Sequence, residues 1–282
     1  PKTQPRLRKS AVMIWIFGGG FYSGTTTLNI YDGKILAAMN DIIIVSVGYR
    51  VGALGFLNLG HPSAPGNAGL FDQLMGLDWV QQNIKYFGGD PQNVTLFGES
   101  AGSVSVSLHL LSPLSSSKFQ RVILESGTAN MPWAVATPEE GKRRSLELAH
   151  EYLDCPGSKD MQDVVDCLNR IDAQKLVDEQ WVSRGISQFP FIPIIDGAFI
   201  IEHPDMTLAR KTFKKCPILA GSNLNEGSFF IIYELYEFLN LERVTMTREQ
   251  FIASINKLFY YYPQYPQTIN SVGLESILHQ YT

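Results

Sequence analysis

The chain has 282 residues, of which 45% are hydrophobic and 18% charged, with a formal net charge of −4 and a pI near 5.8. This length suffices for one large hydrophobic core, and the composition excludes a disordered protein and argues against a nucleic-acid partner. No apolar run reaches the roughly 18 residues that a membrane-spanning helix needs.

Short apolar runs that are rich in β-branched and aromatic residues predict the strands of a parallel sheet. Residues 11–17 and 42–47 come first, and the same pattern returns at 94–97 and 121–124. Continuous apolar runs of this length are typical of buried parallel strands.

Two helical patterns separate these strands. Apolar residues recur at helical spacing through residues 69–87, namely at Leu70, Leu74, Leu77, Val80 and Ile84. A second helical pattern, 100–111, lies between the third and fourth strands. Strand and helix therefore alternate, which predicts an α/β fold with a doubly wound, mostly parallel sheet. Arg50 and Asp72 border these core elements, and we expect them to form a buried ion pair, since an unpaired buried charge is costly.

The pattern changes after about residue 134. Charged helices are predicted at 137–153 and 247–259, with one more strand-like run at 217–221. Because we find no internal repeat or linker, we expect a single domain over residues 1–282. Pro1 is not an initiator methionine, so we expect this domain to be incomplete.

Three cysteines leave the redox setting open. Cys155 and Cys167 lie twelve residues apart in a polar helical stretch, whereas Cys216 stands alone. The spacing fits either a short-loop disulfide in an oxidising compartment or two free thiols in a cytosolic protein.

The pattern Gly-x-Ser-x-Gly occurs at residues 98–102, directly after one predicted strand and directly before a helix. A tight strand-to-helix turn holds a serine hydroxyl exposed, and flanking glycines allow the close approach that such a turn requires. We interpret Ser100 as a nucleophile. The amide of Ala101, at the start of the helix, becomes a donor to a developing oxyanion. The alternative is a glycine-rich turn without function.

A glycine run, Gly18-Gly19-Gly20-Phe21, ends the first predicted strand. Loops of this type supply backbone amides to the oxyanion hole of lipases and esterases. Gly19 and Gly20 are the candidate donors, although a plain turn has the same composition.

Four segments carry a family resemblance: GGGFYSG (18–24), APGNAGLFDQ (64–73), FGGDPQNVTLFGESAG (87–102) and NEGSFF (225–230). With these, the chain resembles the type B carboxylesterase family and, within it, the acetylcholinesterases of invertebrates. The resemblance implies an α/β-hydrolase fold and hydrolysis of a small choline ester or another carboxylic ester. It implies no cofactor and no metal.

The resemblance also implies the catalytic residues. Ser100 is then the nucleophile, Glu226 the acid of the triad, and Gly19, Gly20 and Ala101 the oxyanion hole. Glu226 follows the strand-like run 217–221, where the acid of an α/β-hydrolase is expected. Taken alone, a loop glutamate is usually just solvated.

Two further expectations concern the triad. We expect Ser126, at the end of the run 121–124, to hydrogen-bond Glu226 or its surroundings. The histidine of such a triad follows the acid, and only His279 does so here, in a helix-like segment. The resemblance places the catalytic histidine beyond Thr282, so we expect residues 1–282 alone to be inactive, and we expect His109 to be a packed core residue.

A gorge lined with aromatic side chains is implied as well. Glu99 and Phe229 would meet the choline ammonium, because ring faces and a carboxylate hold a quaternary cation. The remaining positions are the peripheral Tyr22, Trp181 and Tyr233, the gorge-base Tyr31, and the acyl-pocket Phe189, Phe230 and Trp133. Without the resemblance, each aromatic is better explained as an ordinary core residue.

The sequence departs from the pattern at several points. Ser187 stands where vertebrate acetylcholinesterases carry an acyl-pocket phenylalanine, which predicts a wider pocket. The choline-site tryptophan and aspartate of the family would precede Pro1. Cys155 and Cys167 match a disulfide of the family, which favours a secreted protein or one at the extracellular cell surface, and the resemblance to acetylcholinesterases implies a synapse. The sequon at Asn93 runs into the nucleophile strand, so we expect poor glycosylation there.

Two other functions share these features. A general carboxylesterase uses the same mechanism on neutral esters, and the family includes adhesion proteins that lack catalysis. Intact GESAG, NEG and GGGF segments favour an enzyme. A homo-oligomer and a membrane anchor, both through a region beyond this chain, are further expectations.

Overall fold

The computed structural model describes residues 9–182, 189–227, 229, 247–261 and 271–280. The described residues up to 222 form one compact unit, and those from 223 onwards belong to a second. The single-domain interpretation over 1–282 stays a prediction.

A parallel sheet forms the centre of the first unit. The strands of this sheet are β1 Ser10–Ile16, β2 Ile43–Ser46, β5 Gly89–Glu99, β6 Arg121–Glu125 and β7 Ile218–Gly221. A separate hairpin consists of β3 Asn58–His61 and β4 Ala64–Pro65. Five of them pair in parallel in the order β2-β1-β5-β6-β7, whereas β3 and β4 pair antiparallel. The predicted doubly wound α/β architecture is confirmed.

The helices follow the predicted alternation. They are α1 Lys34–Asn40, α2 Gly52–Phe56, α3 Ala68–Asn83, α4 Ala101–Leu111, α5 Pro138–Glu147, α6 Met161–Leu168, α7 Ala173–Glu179, α8 Pro204–Arg210, α9 Arg248–Tyr261 and α10 Ser271–Gln280. Short 3-10 turns occur at Asn29–Tyr31 and Ile84–Phe87, and α5 continues as a π-helical turn over Leu148–Tyr152. None of the described helices combines the length and the apolar character needed to cross a membrane.

The core lies on both sides of α4. Val106 and Leu110 of this helix pack with the central strands and with α3, whereas Ala101, Val104 and Leu108 pack with a second cluster that includes Phe56 and Leu148. All residues of α4 from Ala101 to Leu110 are buried. A helix enclosed in this way fixes the position of whatever precedes its first turn.

The outer strands differ from the prediction. Residues 42–47 were expected to be buried, but β2 is half-buried because it is an outer strand of the described sheet. The β3–β4 hairpin was not expected. The strand predicted at 94–97 extends back to Gly89.

Two predicted pairings form, one of them less buried than expected. Cys155 and Cys167 are bonded, with a Cα–Cα distance of 5.8 Å, and the loop between them is mostly exposed apart from Val164 and Val165.

Arg50 donates to both carboxylate oxygens of Asp72 at 2.7 Å. The Arg50 side chain is 56% exposed, so the prediction of a buried pair is wrong on burial. Asp72 also accepts from the Arg50 backbone amide, which ties the pair to the start of α2.

Candidate active site

Ser100 occupies the turn between β5 and α4. Its backbone has φ 54° and ψ −122°, a strained conformation for a residue with a side chain. The Ser100 amide donates to the Glu125 carbonyl at 2.9 Å, and the Ser100 carbonyl accepts from the Val104 amide at 2.9 Å. Neighbouring strand and helix thus hold the turn at both ends.

The flanking glycines are required by close contacts. A Cβ atom on Gly102 would lie 2.0 Å from the Ile16 carbonyl oxygen, and one on Gly98 would lie 2.6 Å from the same oxygen. Gly127 plays a similar part that the sequence did not reveal, since a Cβ there would lie 2.4 Å from the Ser100 carbonyl oxygen. No local motif marks Gly127, because its need for a small residue arises only from the fold.

The glycine loop after β1 lies directly beside this turn. A Cβ on Gly18 would lie 2.5 Å from the Glu99 carbonyl oxygen and 3.2 Å from Cβ of Ser100. Within the described part of the chain, the N–H groups of Gly19, Gly20 and Ala101 have no hydrogen-bond acceptor. Three main-chain donors near a serine can stabilise an oxyanion.

Glu99 and Tyr31 form a second part of the site. Tyr31 is half-buried and packs against Trp15, with 5.1 Å between ring centroids. Burial raises the pKa of Tyr31, and the Glu99 carboxylate adds to this shift. Trp15 was not expected in the site. Its indole N–H is buried without a partner among the described residues. Its position in an apolar run indicated only a residue of a buried strand.

A chain of aromatic contacts runs beside Gly20. Tyr22 packs edge-on against Trp181 at 5.1 Å and lies 5.7 Å from Phe189, which packs edge-on against Trp133 at 5.2 Å. Trp181 is 48% exposed. The structure therefore brings together four of the aromatic residues expected in the gorge and its rim.

The other predicted site residues are described one by one. In the second unit, Glu226 accepts from the Asn223 amide at 2.7 Å, and the exposed Phe229 follows in the same turn. Ser126 ends β6 with φ 54°, and its amide donates to the Gly221 carbonyl at 2.9 Å. A bond between Ser126 and Glu226 stays a prediction. Three predicted residues, Ser187, Phe230 and Tyr233, lie outside the described residues.

His109 is a core histidine, as expected. It is fully buried, and burial lowers its pKa to about 3. Its Nε2 contacts Oε1 of Gln73 at 3.2 Å, and its ring packs edge-on against Phe199. His279 lies exposed on α10.

A serine in a strained strand-to-helix turn, beside a glycine loop on a parallel sheet, is the arrangement typical of an α/β-hydrolase. Comparison with known proteins narrows this class. Residues 1–282 match the Carboxylesterase family, and the chain belongs to that family. It is a serine esterase.

The relatives agree with this assignment. The chain is 47% identical to an acetylcholinesterase of Myxine glutinosa, an alignment that covers 99% of this chain and 80% of the relative. It is 41% identical to cholinesterase 2 of Branchiostoma lanceolatum, over 96% of this chain and 78% of the relative. An acetylcholinesterase of Electrophorus electricus is 44% identical, over 99% of this chain but only 43% of the relative.

Proposed function

We propose that the protein hydrolyses choline esters, with acetylcholine as the best substrate. The observation that carries the proposal is the contact of Gly18 with Ser100 at the strained turn, in a chain 47% identical to an acetylcholinesterase. This contact supports a reaction in which Ser100 is the nucleophile and the amides of Gly19, Gly20 and Ala101 are the donors.

The proposed reaction runs through an acyl-enzyme. The Ser100 hydroxyl attacks the ester carbonyl carbon while a histidine accepts its proton, and the amides of Gly19, Gly20 and Ala101 stabilise the oxyanion. Collapse of this intermediate breaks the bond to choline, which leaves with that proton. Water then attacks the acyl-serine and releases the carboxylic acid. In this scheme Glu226 orients the histidine, which follows it in chain order.

Aromatic faces support the choline part of the proposal. A quaternary ammonium makes no hydrogen bonds, and it is bound by ring faces together with a nearby carboxylate. Tyr22 and Trp181 offer rings at a partly exposed position, and Glu99 adjoins the nucleophile. By resemblance, Phe229 is assigned to the choline-binding region, Tyr233 to the peripheral site and Phe230 to the acyl pocket. Phe189 and Trp133 would enclose the acyl group, because Phe189 adjoins Gly20.

The test compares three reagents on the full-length protein. We expect a higher kcat/KM for acetylthiocholine than for phenyl acetate, and labelling of Ser100 by a fluorophosphonate. Ser100→Ala should abolish labelling and reduce kcat by several orders of magnitude, whereas the exposed Ser117→Ala should change neither. Preference for phenyl acetate would favour a general carboxylesterase. Absence of both turnover and labelling would favour an adhesion protein.

The setting proposed for this activity is extracellular, at a synapse or in a secreted form. The bond between Cys155 and Cys167 supports an oxidising compartment. A homo-oligomer and a membrane anchor remain predictions. Asn93 lies within β5 and its side chain accepts from Arg121 at 2.7 Å, which supports poor use of the sequon.

A further inference from the structure

The ring of Phe189 lies against the candidate oxyanion loop. A Cβ atom on Gly20 would lie 2.8 Å from two atoms of the Phe189 ring and 2.6 Å from one atom of the Tyr22 ring, and Phe189 also packs edge-on against Trp133. The acyl chain of an ester extends from the same carbon as the carbonyl oxygen. A ring against an oxyanion glycine therefore bounds the space that this chain occupies.

The main chain of Phe189 is held by Arg144 of α5. Nη1 of Arg144 donates to the Phe189 carbonyl at 2.8 Å and to the Pro190 carbonyl at 3.3 Å. The Arg144 side chain is only 15% exposed, and its Nε donates to Glu140 at 2.7 Å. A charged donor that is mostly buried and braced by a carboxylate makes strong, directional hydrogen bonds.

The segment beyond Pro190 is held by other contacts. The Pro193 carbonyl accepts from the Ala136 amide at 2.8 Å. The main chain of Ile194 makes two bonds of 2.8 Å with the buried Asn67 side chain. Loss of Arg144 would therefore free the main chain at Phe189 and Pro190, whereas Pro193 and Ile194 would keep their hydrogen bonds.

We propose that Arg144 is a positioning residue that sets the width of the acyl pocket by fixing Phe189, and thereby limits the acyl-chain length that the enzyme accepts. This inference rests on the proposed esterase function. One added methylene changes transition-state binding strongly in a fixed pocket and weakly in one whose wall can move. Arg144 itself touches no reacting atom.

Arg143 provides a matched control. It is the next residue of the same helix and pairs with the same carboxylate, Glu140, at 2.8 Å, but it is 58% exposed and makes no bond to Phe189. Arg143→Gln and Arg144→Gln thus each remove one positive charge and the bonds to Glu140, and Arg143→Gln also removes a bond to Glu147. Only the second also removes the donor to the Phe189 and Pro190 carbonyls.

The experiment measures kcat/KM for acetylthiocholine and butyrylthiocholine in the full-length protein. We expect Arg144→Gln to raise the butyryl-to-acetyl ratio about fivefold or more, Arg144→Lys to give a smaller rise because one ammonium donor remains, and Arg143→Gln to leave the ratio unchanged. Amide exchange of the peptide that contains Phe189 should quicken in Arg144→Gln alone.

Equal ratios and equal exchange in the two glutamine variants would overturn the inference. Should Arg144→Gln fail to fold, Arg144→Lys gives the same comparison, and a ratio equal to the parent would count against it. A parent protein that hydrolyses neither ester would instead refute the proposed function, and the exchange measurement would still decide whether Arg144 holds Phe189.

Discussion

His109 shows how the core controls a titratable side chain. Its ordinary pKa is 6.5, and burial lowers the pKa in the folded protein to about 3. The unfolded chain therefore binds a proton between these values that the folded chain does not bind. The contribution of neutral His109 to the free energy of unfolding is fully present above pH 6.5, and it is lost progressively as the pH falls towards about 3.

We expect this loss to be visible in the free energy of unfolding. Between pH 6.5 and 5, the parent should lose stability more steeply than His109→Gln, with a difference in slope of up to about 1.4 kcal/mol per pH unit. Denaturant unfolding at several pH values measures it. The exposed His279→Gln serves as the control and should follow the parent. Parallel curves for the parent and His109→Gln would contradict the argument.

A second prediction at this scale concerns Ser187, which the resemblance places in the acyl pocket. Replacing Ser187 with Phe should lower kcat/KM for butyrylthiocholine more than for acetylthiocholine, by about tenfold in their ratio, because the added ring fills the space for the longer chain. Ser187→Ala adds no volume and should leave the ratio near that of the parent. Equal losses on both esters would speak against a wider pocket.

At the scale of elements, the turn from β5 to α4 depends on the contact between α4 and β1. Gly102, in the first turn of α4, faces the Ile16 carbonyl at a distance that admits no side chain. A Cβ there must push the helix away from the strand, and with it the amide of Ala101. Gly102 therefore affects both the stability of the fold and the geometry of the proposed oxyanion hole.

We expect Gly102→Ala to lower the free energy of unfolding by about 1–3 kcal/mol or more, through overpacking, and to lower kcat as well. Gly157→Ala is the control, since a Cβ at Gly157 meets no atom within 4 Å. Thermal unfolding and acetylthiocholine turnover test both effects. An unchanged kcat in a folded Gly102→Ala protein would show that the helix start tolerates displacement.

The elements also show which parts of the fold the sequence predicts. Strands β1, β5 and β6 were predicted because each contains a short continuous apolar run, and helices α3 and α4 were predicted from their helical patterns. The β3–β4 hairpin was not, since its residues have no alternating pattern. The half-burial of β2 depends on its place at the edge of the described sheet, which periodicity does not encode.

The candidate site likewise contains residues that the sequence predicts and residues that it does not. Ser100 and Gly18 to Gly20 were predicted as site residues because each belongs to a short contiguous motif next to a strand, and their roles stay proposals. Trp15, Gly127 and Arg144 were missed because their importance comes from contacts between residues distant in the chain. The resemblance supplied Glu226 and the aromatic residues, and their roles stay proposals.

At the scale of the whole molecule, the order of strands has a consequence for biosynthesis. β1 lies between β2 and β5, so a chain emerging from the ribosome can pair β1 with β2 first and must leave the other edge of β1 open until β5 arrives. Such non-local parallel pairing is slow. When it occurs, Gly98 aligns with Ile16, and the turn at Ser100 forms against Gly18 in the same event. The strained turn at Ser100 and its packing against the glycine loop therefore form in one step, when β5 joins the sheet.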